Sequence, residues 1–262
     1  MVHLMARTEK PTIYPNRFPV SEGQTPWEIN FPEYDPAYFV APSVLKNHKP
    51  GGWADPEDLA MINHPYHSYT GDIQLDKNCR PLNPYGRSGI VGRGLLGKWG
   101  ANFAADPIIT RINPETDELE MIAIERADCG KMAIPGGMVD EGESITSTLS
   151  REFTEEAGAE LDMSDATEVY RGYADDRRNT DNAWIETVAK HKHLDPKTAS
   201  DMTLQAGDDA MAVRWLPLNV QNVNDLYGGH PEMIKEMLRK FIQTNPDLPP
   251  KAQMDIAQIL NS

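Results

Sequence analysis

The chain has 262 residues, 39% of them hydrophobic, and its 40 acidic against 25 basic side chains leave a net charge of −15. That is enough apolar material for one large domain or two small ones. The charge excludes nucleic acid or an anionic membrane as the main partner, and an anionic substrate would need local help. Two cysteines, Cys79 and Cys129, stand in no CxxC or Cys/His spacing and are too few for a disulfide framework, which suits a reducing intracellular compartment and gives them no catalytic role.

The opening "MVHLMARTEKPTIYPNRFPV" has no apolar signal core and one short basic patch, so a mitochondrial and a cytosolic address both stay open. No stretch approaches the roughly 20 apolar residues of a membrane helix, so this segment is expected to make no membrane contact of its own. Up to about residue 100 the chain is dense in Pro, Gly, Tyr and Asn, as in "FPEYDPAYFVAPSV" and "GGWADPEDLA", which reads as short strands joined by turns. Pro107 to Arg111 and Leu119 to Glu125 then flank the turn signal "NPETDE" and form a hairpin. Further on, "TEVYRGYADD", "NAWIETVAKHKH" and "MAVRWLPLN" are strand candidates. The last clear helix is "HPEMIKEMLRKFIQTN", with Met233, Met237, Leu238 and Phe241 at helical spacing. The reading is α/β: a strand-rich N-terminal domain over 1–105, contributing to the substrate cleft, before an α/β sandwich over 106–262.

Between hairpin and later strands lies "GGMVDEGESITSTLSREFTEEAG". Asp140 followed three residues later by Glu143 predicts a cap for a helix starting near Glu143 or Ser144. Ile145, Leu149 and Phe153 make its apolar stripe, and at about 100° per residue Glu152 and Glu156 project beside that stripe with Glu155 on the flank. Carboxylates clustered at the edge of a core repel one another and lose hydration, so they attract a hard cation such as Mg²⁺. For a Glu-Glu pair in general, a solvated acidic face is the commoner outcome. Here the full spacing decides: Gly137, five residues, Glu143, seven residues, Arg151-Glu152-Phe153, one residue, Glu155-Glu156, one residue, Gly158.

That pattern resembles the Nudix box at every polar and glycine position, with Ala159 in place of a larger aliphatic. The resemblance implies a Nudix α/β/α sandwich and a metal-dependent hydrolase of linked nucleoside diphosphates. Glu152, Glu155 and Glu156 match the glutamates that hold Mg²⁺, or Mn²⁺ as its substitute. Arg151 matches the residue that orients them, and Glu143 the one that steadies the loop–helix junction. "GRSGIVGRGLLGKWGANFAADPIITR", "YRGYADDRRNTDNAWIET" and "LYGGH" are similar to the mitochondrial-type ADP-ribose pyrophosphatases and to the Nudix homology domain of the ADP-ribose-gated melastatin-type cation channels. The implied ligand is ADP-ribose, cut to AMP and ribose 5-phosphate. Its implied contacts fall on Asp176, Arg178 and Asn182 in and beside "DDRRNTD", and on Tyr227 and His230 in "LYGGH".

Each contact has a plainer reading: Tyr227 as packing, Arg178 as the partner of Asp175 or Asp176. Arg177 stands where these families usually carry proline, which removes a rigid element from the loop. In some members of the superfamily the general base lies outside the box, and Asp208 and Asp209 are the candidates. An intact box favours an enzyme, either free or carried covalently as a channel domain; the alternative is an ADP-ribose-sensing domain without turnover, on the cytosolic side of a membrane.

Other signals are set aside. Gly92, Gly94 and Gly97 spell G-x-G-x-x-G without the strand before and helix after that a dinucleotide site needs. Arg87 and Arg93 beside them are read as countering the chain's negative field. "HPYH" and "HKH" are taken as surface histidines, Trp184 and Trp215 as core, and Trp53 and Trp99 as supports for the junction between the two parts.

Overall fold

The computed structural model describes residues 3–49, 51–207 and 210–262. Among these the strands are β1 (Ala37–Val40), β2 (Ile90–Gly94), β3 (Gly100–Ile112), β4 (Leu119–Arg126), β5 (Met132–Ala133), β6 (Gly137–Met138), β7 (Thr167–Ala174), β8 (Ala183–His193) and β9 (Ala210–Pro217). The helices are α1 (Met5–Thr8), α2 (Pro42–Lys46), α3 (Ile145–Ala157), α4 (Pro196–Asp201), α5 (Val220–Asn224), α6 (His230–Thr244) and α7 (Pro250–Leu260). The chain divides into two packed units, Met1–Phe103 with Gly172–Glu186, and Ala104–Arg171 with Thr187–Ser262. No helix among the described residues is long and apolar enough to cross a membrane.

The first unit has short strands joined by turns, as its Pro- and Gly-rich composition implies: β1 pairs in parallel with β2, and Leu75 bridges Pro81. With so little ladder, buried arginines organise the backbone. Arg87 is buried and donates to the carbonyls of Gln24, Pro26, Trp27 and Ile29. The rings of Trp27, Phe31 and Tyr34 surround it within 5.1–5.8 Å. Arg93, fully buried, donates to Asp55 O and Gly97 O and pairs with Glu57. This corrects the reading of both arginines as field-countering charges. In a segment poor in regular structure, backbone carbonyls claim the Nη donors of both side chains.

Gly92 and Gly94, at φ +98° and +59°, press against Phe39 and the Tyr14 ring, and the next element is β3 rather than a helix. The glycines serve close packing. Trp184 lies in the core with Ala101 and Tyr173. Trp99 is buried and donates to Pro56 O, while Trp53 is exposed and covers Gly97.

The second unit is built on a sheet ordered β5-β4-β3-β8-β7, with β6 on β3 and β9 on β4. The expected hairpin is present, with Thr110 opposite Met121 and Ile112 opposite Leu119, but β3 begins at Gly100 and runs through Asp106-Pro107. Leu149, Phe153 and Ala157 of α3 pack with Ala105, Ile109, Ile122, Met163 and Leu194 into one core, and Trp215 covers its edge beneath the Arg111 guanidinium, 4.2 Å away.

Two expectations fail here. The last helix is α7 rather than α6: Pro250 takes its first turn, where no N–H is required, and Ala252, Ile256 and Ile259 are buried at helical spacing. "HKH" is not a surface run either. His191 is 8% exposed, its Nε2 bonded to Thr110 Oγ1 at 2.7 Å, and Thr110 also meets His193 Nδ1 at 2.9 Å. Strand alternation turns both histidines to one face of β8, towards Phe241. Burial lowers the His191 pKa to about 3.

Candidate active site

The site rests on α3, whose ends are both well made. Ser144 is its N-cap, the hydroxyl accepting from Ser147 N–H at 3.2 Å. Of the expected cap only the bond from the Asp140 N–H to Glu143 Oε2 is present, in the turn before the helix, and Ser144 takes the N-cap itself. At the other end Gly158 is left-handed at φ +69°. The carbonyls of Glu156 and Ala157, which no further helical turn can satisfy, accept from Gly207 and Gln205.

Arg151 gathers the glutamates. Its Nε and Nη2 bind both oxygens of Glu143 at 3.0 and 2.9 Å, Nη1 binds Glu152 at 2.7 Å and Glu155 at 3.1 Å, and Nη2 also reaches Met138 O at 3.1 Å. Glu152 is buried, Glu156 half-buried and Glu155 exposed, as their positions beside and flanking the apolar stripe imply. Glu156 takes its hydrogen bond from the Gly136 N–H at 2.8 Å. A Cβ on Gly137 would strike the Glu152 carboxylate, and one on Gly136 would strike Asp106 Oδ1 and Ala105 O, so glycine permits the close approach at both positions.

The electrostatics follow from who holds Arg151. Its bidentate bond keeps the Glu143 carboxyl down at about 2. Glu156 is pushed up to about 7, by burial first, with the Glu152 and Asp106 charges adding and the Gly136 N–H and Arg126 opposing. Glu152 is raised by burial against the pull of Arg151. Among the described residues no three His, Cys, Asp or Glu side chains form a ready-made metal cage. The donor set nonetheless fits a hard divalent cation: Glu152, Glu155 and Glu156 offer carboxylate oxygens along one helix, and the Arg151 Nη1 bonded between Glu152 and Glu155 shows that positive charge is accommodated there. A cleft of about 680 Å³ opens along α3, with Arg151 and Glu155 in its wall.

The other sequence-derived residues fall in both units. In the first, Arg178 forms a two-point pair with Asp176, Nε at 2.8 Å and Nη2 at 3.0 Å. Asn182 is buried, accepting from Gly92 N–H and donating to Pro81 O. The loop gets its support not from proline at 177 but from Arg17, which donates to Arg177 O and Asn179 O, and from Tyr14, which donates to Arg178 O. In the second unit Tyr227 is buried with the Arg126 guanidinium 4.3 Å above its ring. His230 accepts the Ile134 N–H at Nδ1, which places its proton on Nε2. Asp208 and Asp209 lie outside the described residues.

Two residues near the box went unread in the sequence. Arg126, at the end of β4, is held by both oxygens of Asp128 at 3.0 and 2.9 Å. Asp106, in β3, is 7% exposed and accepts from the Thr187 hydroxyl. The sequence reading starts this strand at Pro107, and only the longer β3 of the structure makes Asp106 a buried strand position.

The chain matches the NUDIX domain over residues 105–237 and the NUDT9-like N-terminal domain over 20–100. It is 39% identical over 278 residues to the mitochondrial ADP-ribose pyrophosphatase of Rattus norvegicus, covering 91% of this chain and 78% of that protein. It is 38% identical over 282 residues to a transient receptor potential cation channel subfamily M member-like 2 of Nematostella vectensis, covering 91% of this chain and 18% of that one. The subfamily M member 2 channel of Mus musculus is 31% identical over 87% of this chain and 17% of its own length. The chain thus spans less than a fifth of the channel relatives it matches. The domain match and the glutamates gathered by Arg151 on α3 agree, and the chain belongs to the Nudix family.

Proposed function

We propose that the chain hydrolyses the diphosphate bond of ADP-ribose, releasing AMP and ribose 5-phosphate, with Mg²⁺ as the natural ion and Mn²⁺ as a substitute. The observation that carries this reading is the match to the rat ADP-ribose pyrophosphatase along most of both chains, with every charged position of the box present.

Glu152, Glu155 and Glu156 would hold the ion, and Arg151, fixed by Glu143, orients Glu152 and Glu155 for it. Nudix hydrolases use divalent metal ions, and a bound ion supplies charge neutralisation at the diphosphate and an activated water. Gly136 and Gly137 let the backbone lie close to Asp106 and Glu152, so water is squeezed from that side of the carboxylates. For the ligand, the Arg178 guanidinium suits diphosphate oxygens, the Asp176 carboxylate suits ribose hydroxyls, and the Tyr227 ring with the Nε2–H of His230 suits the nucleoside. Asn182 acts in this reading by holding the Gly92 and Pro81 backbone beside that loop.

Incubation with ADP-ribose and Mg²⁺, followed by ion-exchange separation, should yield AMP and ribose 5-phosphate from the parent and neither from Glu155→Gln or Glu156→Gln. A second reading is favoured by the channel match: the chain as an ADP-ribose-sensing domain of a channel. Binding of ADP-ribose by calorimetry with no products at any metal concentration would establish it in place of the first.

A further inference from the structure

Asp106 is a buried carboxylate to which the proposed chemistry assigns nothing, yet it stands at the edge of the glutamate cluster. Its Oδ2 accepts from the hydroxyl of Thr187, a fully buried residue of β8. Its Oδ1 faces Gly136 so closely that a Cβ there would collide with it. Gly136 in turn donates its N–H to Glu156 Oε2 at 2.8 Å. One glycine therefore touches both carboxylates, through its Cα on one and its N–H on the other. The backbone that follows is anchored to the same strand, Gly137 opposite Ala105 and Met138 opposite Ala104.

Burying a carboxylate beside other carboxylates is costly, and a core position on β3 would ordinarily be filled by an apolar residue. An arrangement that tolerates this cost is expected to recover it when a cation arrives. Negative charge close to the ligands deepens the cation's well, and a fixed neighbour keeps a ligand aimed without having to touch the ion.

We propose that Asp106 is a positioning residue for the metal site: held by Thr187, it sets the seat of Gly136, and through the Gly136 N–H it aims the Glu156 carboxylate, while its charge strengthens the cluster's hold on a divalent ion. The inference rests on the proposed function for the identity of the ligands, but its test needs no substrate.

Binding of Mn²⁺ alone is followed by electron paramagnetic resonance of the free ion. Asp106→Asn keeps the shape and removes the charge, and should weaken binding about tenfold, the size of effect that groups supporting metal ligands show. Thr187→Val keeps the charge but releases the carboxylate, and should weaken binding several-fold, while Thr187→Ser restores the parent value. In turnover the same variants should raise the Mg²⁺ concentration needed for half-maximal rate more than they lower the rate at saturating metal. Mn²⁺ affinity within twofold of the parent in Asp106→Asn and Thr187→Val, with only the melting temperature lowered, would make the pair a packing contact and overturn the proposal. So would a parent chain that binds no Mn²⁺. If Asp106→Asn does not fold, the contrast between Thr187→Val and Thr187→Ser decides alone. A chain that binds Mn²⁺ in this pattern but leaves ADP-ribose intact would sink the hydrolase reading and not this one.

Discussion

The two units use arginine in opposite ways. In the first, Arg87 and Arg93 spend their donors mostly on neutral backbone carbonyls, six of them between the two side chains. In the second, Arg151 spends its donors mostly on three carboxylates, Glu143, Glu152 and Glu155, with one bond to Met138 O, and leaves Glu156 to a backbone N–H. A guanidinium among carbonyls is a brace that organises a segment with few strands of its own. A guanidinium outnumbered by carboxylates is part of a site still short of positive charge. The contrast within the box makes the same point: Glu143, which Arg151 grips at both oxygens, is held down at about 2, while Glu156, which it does not touch, is pushed up to about 7.

The largest test of this contrast is Glu156→Gln. It should lower ADP-ribose turnover by more than about a hundredfold, beyond the cost of losing a merely supporting group, while the melting temperature near neutral pH is kept or raised. A loss under tenfold in steady-state assays would mean that the charge surplus is not where the metal binds. Next, Arg93→Met should cost about 1–3 kcal/mol in urea unfolding, because the Asp55 carbonyl loses its Arg93 donor while the Gly97 carbonyl keeps the Asp55 N–H. A cost below about 1 kcal/mol would remove the brace from the comparison.

A smaller effect appears on acidification. His191 is buried neutral, its pKa lowered by burial to about 3 in the folded chain against the ordinary value of 6.5. Between those values the unfolded chain binds the extra proton, so stability falls as pH drops from about 6.5 towards 3, by at most about 1.4 kcal/mol per unit. His191→Gln should flatten that part of a thermal-melt pH series; an unchanged slope would assign the acid sensitivity elsewhere. Smallest of all, Ser144→Ala should destabilise by about 1 kcal/mol through the lost cap. Because α3 carries the box, the variant should raise its metal requirement only slightly, as differential scanning calorimetry with and without Mn²⁺ would report.

Much of α3 was legible because its information is local. Ile145, Leu149 and Phe153 at one-turn spacing name the buried stripe, and the same spacing places Glu152 and Glu156 beside it. The hairpin and α6 were legible for the same reason, each carrying its own period and its own turn or stripe. α7 was hidden by "DLPP", which reads as a break unless proline is recognised as a first-turn residue. His191 and His193 were misread because a polar triplet looks solvated until the strand's alternation and the Phe241 ring above it are known. Arg87 and Arg93 were misread because all but one of their carbonyl partners, Gly97, lie about 40–60 positions away, outside any local window.

By itself the sequence determined the family, the helix that carries the glutamates and which of their faces turns inward, since helical geometry converts residue spacing directly into direction in space. Tertiary structure alone decided the rest: that Thr187 and Gly136 meet at Asp106, that Arg151 divides itself among three glutamates and omits the fourth, and that stretch 172–186 packs with the first unit rather than with its neighbours in sequence. Those outcomes depend on strand pairing and on competition among buried polar groups for distant partners, and no local pattern of residues encodes which competitor wins.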